Sequence, residues 1–192
     1  MTILLPGLVN EVSSGGPASG AACARVKNSS TATQTPAAAT RTNIAGGNLA
    51  VPPAGLKVGT RLRWVFNMTK TAAGSAASTF DIALGALGTV ADAAVVSFTK
   101  PAGTAAADEA RVVVEAIVKS VSATGVVIGE FTLVHNLSAT GHAVIPCVVV
   151  NTVSGATDLT PQNLIASLNI TSGAADAITI VMVDAELTES AG

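Results

Sequence analysis

Residues 111–137, RVVVEAIVKSVSATGVVIGEFTLVHNL, constrain the fold more than any other stretch of the chain. Val112, Val114, Ala116 and Val118 fall on one face at a period of two, and Arg111, Glu115 and Lys119 fall on the other. Past residues 122–125 the alternation resumes, with Val127, Phe131 and Leu133 opposite Glu130 and Thr132. One apolar and one mixed face at this period is the pattern of a half-buried antiparallel strand. The Val and Ile content suits a pleated surface. The stretch is read as a hairpin of two long strands, with Gly125 expected to supply a left-handed turn residue.

Strand and turn signals follow one another at short spacing through the rest of the chain from Asn48. Strands are expected at 61–70, 79–84, 93–99, 111–121, 126–136, 142–150, 163–171 and 177–187. In the first of these Leu62, Trp64, Phe66 and Met68 point inward, with Trp64 as a core anchor. Helical spacing of apolar residues occurs only in Ala-rich loops. The prediction is an all-β fold, an eight-stranded antiparallel jelly-roll sandwich of two four-stranded sheets. An up-and-down barrel is the alternative topology. The small Val, Ala and Leu side chains fit a thin sandwich core better than a barrel interior.

Residues 1–47 are rich in Ala, Ser, Thr, Gly and Pro, and lack the apolar content to fold alone. They are expected to form an extended arm preceding a domain at 48–192. Its tip, Ile3, Leu4, Leu5, Leu8 and Val9, points to an arm that orders on a partner rather than a solvating tail. The start MTILLPGLVN lacks a basic region and is not read as a signal peptide.

Only 11% of the residues are charged, against about 25% in an average globular chain. Such a surface belongs in a membrane or under other subunits. No run of about 18 apolar residues exists for a spanning helix, and a chain with no Tyr, one Trp and four Phe lacks the aromatic girdles of a membrane barrel. Permanent assembly is therefore the reading, since obligate interfaces are large and apolar. The face Arg111, Val113, Glu115, Ile117 and Lys119 is the expected subunit interface of a homotrimer, because its Val and Ile residues are too many to leave wet. Charge is also uneven. Residues 1–70 carry seven cations and one acid, residues 71–192 three cations and eleven acids. Arg25, Lys27 and Arg41 of the arm are thus expected to meet an acidic surface, in the oligomer or on a partner. Without a basic cluster or interleaved aromatics, nucleic-acid binding is not expected.

Reaction chemistry is not legible. His135 and His142 flank a loop with no carboxylate or cysteine at ligand spacing, and read as loop-end polar residues. Asp108 and Glu109 read as solvated at a strand start, and Asp184 and Glu186 as an exposed pair without a third ligand. Cys23 and Cys147 form no metal or redox pattern. No nucleophile-elbow, phosphate-loop or zinc-protease motif occurs. Neither an enzyme nor a cofactor is expected.

The segments GGNLAVPPAGLKVGTRLRWVFNMTKTAAGSAASTFDIALG (46–85), GVVIGEFTLVHNL (125–137) and NLIASLNITSGAADAITIVMVDAEL (163–187) resemble β-rich virion proteins of tailed bacteriophages. The resemblance lies in style and strand order. It implies a jelly-roll domain, often trimeric, of a capsid decoration or cement protein, or of a fibre or spike head. The partner it implies is a major capsid protein or another virion protein, and the location is the virion. Cement is favoured over a receptor- or glycan-binding head because the loops are Ala, Gly, Ser and Thr, and because residues 1–47 show no heptads for a shaft.

Overall fold

The computed structural model describes residues 24–143, 147–173 and 177–189, the side chains of 152–156 excepted. Eleven strands are found among them: β1 Arg25–Ser30, β2 Arg41–Asn43, β3 Leu49–Ala50, β4 Arg61–Lys70, β5 Ser78–Gly85, β6 Ala94–Lys100, β7 Asp108–Ser120, β8 Gly125–His135, β9 Cys147–Thr157, β10 Ile165–Thr171 and β11 Ile178–Thr188. They form two antiparallel sheets packed face to face, a β-sandwich. One has six strands in the order β1-β11-β4-β7-β8-β9, the other five, β2-β10-β5-β6 with β3 also on β10. The expected pair of four-stranded sheets is thus replaced by a larger arrangement. β7, β8 and β9 run as a meander within one sheet, and β5 and β6 as a hairpin within the other.

The 111–137 hairpin is β7 and β8, with Val114 opposite Phe131 and Val112 opposite Leu133. β7 also pairs along its length with β4, where Trp64 stands opposite Val114. Gly125 is not among the residues with positive φ. Its missing side chain serves a close approach instead, since a Cβ there would lie 2.5 Å from the Leu159 side chain.

Alternation does the packing. Every second residue of β4 and β7 is buried, because successive side chains of a strand leave opposite faces. The sheets are stitched by four phenylalanines taken in turn from each: Phe66 on β4, Phe80 on β5, Phe131 on β8 and Phe98 on β6. Ring centroids along that chain lie 5.8, 4.9 and 6.2 Å apart, within the range of favourable aromatic pairs. Trp64 is fully buried and donates its indole N–H to the Gly47 carbonyl at 2.7 Å, so its one polar atom is satisfied.

The boundary at residue 47 needs correction from Ala24 onward. β1 pairs with β11 from Arg25↔Thr188 to Ser30↔Val183, β2 pairs with β10, and Ile44 is in the core at 1% exposure. The physical reason is that an edge strand needs little apolar surface of its own when a partner strand supplies the ladder. Polar pairs then hold it. Arg41 binds both Asp81 oxygens at 3.0 and 2.5 Å and the Val90 and Asp92 carbonyls at 2.6 and 2.8 Å. Asn169 joins Asp81 to Asn43 at 3.1 Å on each side. The arm tip, Ile3 to Val9, lies outside the described residues. The strand expected at 142–150 begins at Cys147 and runs on to Thr157, so His142 stands in the preceding loop.

Candidate interaction face

The outward residues of the six-stranded sheet form one continuous surface. Arg111, Val113, Glu115, Ile117 and Lys119 all lie on it, from the middle strand β7. Register places Arg63 and Glu130 on either side of Glu115, and Glu186 beyond Arg63. The result is a charge ladder. Arg25 holds Glu186 through two bonds of 2.5 and 2.8 Å, and Arg63 and Arg61 hold Glu115 at 2.7 and 3.6 Å. The hydrogen bond from Arg25 holds the Glu186 carboxyl down at about 2.

Toward β8 and β9 the ladder gives way to apolar side chains. Ile117 is 45% exposed, Val134 66%, Val148 57% and Val150 63%, and Ile128 is half-buried between them. On the opposite half Met182 is 63% exposed. It takes a positive φ of 55° where the β4–β11 register slips between Val181 and Asp184. A bulky residue in the left-handed region is strained, and here the bulge turns an apolar side chain out to solvent. Sequence reasoning found β7's contribution to this face but not Val134, Val148, Val150 or Met182. Val134 continues the alternation of β8, where the signal was present, whereas Met182 sits at the bulge where the alternation of β11 breaks.

Arg25, Lys27 and Arg41 do not stand free for a partner. Lys27 lies 3.9 Å from Glu186, Arg25 binds the same carboxylate, and Arg41 binds Asp81. Lys57 reaches Glu189 at 3.3 Å. The acidic surface that the N-terminal cations meet is therefore the chain's own later strands. β11 sits between β1 and β4, which brings Arg25 and Lys27 onto Glu186 in the six-stranded sheet, while Arg41 meets Asp81 in the five-stranded one.

A second site, missed from sequence, lies at the end of the sandwich where β4 and β6 finish and β7 begins. Asp108 is buried, not solvated. Its carboxylate accepts the His142 amide at 2.9 Å and the Glu109 amide at 2.9 Å, and lies 2.7 Å from His135 Nδ1. Burial opposes its ionisation, but the His142 amide, the His135 ring and the Glu109 amide together outweigh it and hold its pKa below the usual value. Gly141 permits the contact: its φ is 86°, and a Cβ there would lie 2.0 Å from Asp108 Oδ2. Two buried lysines complete the surroundings of His142. Lys70 Nζ donates to the Thr71, Thr104 and Ala106 carbonyls at 3.2, 2.8 and 2.6 Å. Lys100 Nζ donates to Ala76, Pro101 and His142 carbonyls at 3.4, 2.9 and 3.1 Å.

His142 completes the cluster, fully buried, with neither ring nitrogen bonded among the described residues. Burial, reinforced by Lys100, Lys70 and His135 against the pull of Asp108, lowers its pKa to about 4. Chemically the cluster ties three loops together, those after β4, β6 and β8. Among the described residues no group of three or more His, Cys, Asp or Glu is placed to hold a metal. Cys147 is a buried free thiol whose pKa burial raises.

Trp64, Phe66, Phe80, Phe98 and Phe131 are every aromatic residue in the sequence, and each is fully buried. The surface therefore offers no ring on which a sugar or base could stack. Comparison with protein-family models and with curated proteins finds no match for the chain.

Proposed function

We propose that this protein is a structural virion protein, a capsid decoration or cement protein that works as a homotrimer bound between major capsid subunits. The observation that carries the reading is the outer face of the six-stranded sheet, where Ile117, Val134, Val148 and Val150 stand exposed beside a charge ladder whose Arg25–Glu186 and Arg63–Glu115 steps are already paired within the chain. A face of that kind gains by being covered. The shortage of charge over the whole sequence points the same way. Burial of all five aromatic residues weighs against the other virion role, a glycan-binding fibre or spike head. The deciding experiment is to image particles carrying a tagged copy. Label distributed over the shell between capsomers is the expected result. Label confined to a tail or fibre tip would overturn the cement reading, and absence from the particle would overturn the virion reading.

A further inference from the structure

We propose that the β8–β9 half of the outer face is covered by a second copy of this chain, and that Glu130 there receives Arg111 of that copy. The inference rests on the trimer reading above and names the contact that would build it.

The starting observation is an electrostatic conflict inside one sheet. Glu130 stands directly opposite Glu115, and like charges in that position destabilise a strand pair. Glu115 is relieved by Arg63 and Arg61. Glu130 has only the Thr132 hydroxyl, at 3.0 Å, and no cation among the described residues. Beside it a groove of about 170 Å³ runs between Ile117, Ile128 and Val150. Apolar walls that end on a carboxylate fit the stem and head of an arginine or lysine side chain.

The same face carries two cations that make no ion pair among the described residues, Arg111 and Lys119. One copy thus presents a carboxylate in need of a cation, and another copy presents the cation. Arg111 is the better match. It stands directly opposite Val134, which is 66% exposed, so a contact that buries the apolar strip buries Arg111 with it. Its guanidinium also suits a desolvated carboxylate pair better than an ammonium does.

The test is charge reversal in the full chain, read by sedimentation velocity over a concentration series. Glu130→Arg is expected to raise the dissociation constant of the oligomer by about tenfold or more, with an unchanged β-rich spectrum. Arg111→Glu is expected to do the same, and the two together to recover most of the loss, the sign of direct coupling. An oligomer unaffected by Glu130→Arg would overturn the contact while leaving the trimer standing. Rescue by Lys119→Glu instead of Arg111→Glu would overturn the choice of Arg111. A wild-type monomer at every concentration would overturn the contact and the trimer together.

Discussion

His142 is a buried imidazole with no bonding partner for either ring nitrogen among the described residues, and that makes stability depend on pH. Its pKa is about 4 in the fold against 6.5 ordinarily. Between those values the unfolded chain binds a proton that the native chain does not. Stability therefore falls as the pH drops from about 6.5 to about 4, and this contribution levels off below, where both states are protonated. Asp108, with its pKa lowered, adds a loss at still lower pH. Urea midpoints are expected to report a loss of about 3 kcal/mol between pH 7 and pH 4. His142→Leu should flatten that window and be near-neutral at pH 7, because an unpaired polar group is exchanged for an apolar one. Trp64 is a different case. Trp64→Ala removes a fully buried side chain and orphans the Gly47 carbonyl, so a loss of about 3–5 kcal/mol is expected by thermal or chemical melting. Trp64 was legible in the sequence because its neighbours alternate strictly. The Asp108 cluster was not, because Lys70, Lys100, Asp108 and His135 come from separate strand ends, and His142 from a loop, that only the sheet order brings together.

At the scale of the strand, periodicity carried the reading where side chains pack and failed where the backbone alone decides. All eight expected strands have counterparts in β4 to β11. β1, with the sequence RVKNSS, has hardly an apolar residue to declare it. Its ladder to β11 and the Arg25–Glu186 pair hold it in place, and neither is visible in local pattern. β2 is three residues long and is fixed by Arg41 on Asp81. Removing residues 1–47 is accordingly expected to damage the fold. It would strip β1 and β2, empty the site of Ile44 and leave Asp81, at 3% exposure, without its cation. Breaking a buried pair by removing one partner costs roughly 3–5 kcal/mol. Circular dichroism and thermal melting of the truncated chain should show loss of cooperative unfolding. A native-like melt would mean that β1 and β2 are ornamental.

At the scale of the whole molecule, the uneven charge of the sequence has an internal use. Cations of the first third bind acids of the later strands at four places, Arg25–Glu186, Arg41–Asp81, Lys57–Glu189 and Arg63–Glu115. Those cations are spent within the chain, so under the virion role proposed above they would not be what holds a particle. The remaining candidates for that task are the apolar outer face and the tip Ile3, Leu4, Leu5, Leu8 and Val9. The two can be separated, because the first described strand begins at Arg25. A chain starting at Ala24 keeps every described strand and every ion pair named above. It is expected to melt with the full-length protein and to keep its oligomeric state, yet to fail to decorate particles assembled without the protein. Occupancy of the shell, measured on purified particles with each version added in turn, decides the matter. Equal occupancy would move the attachment onto the sandwich itself, and with it the competition between capsid and second copy for the β8–β9 face.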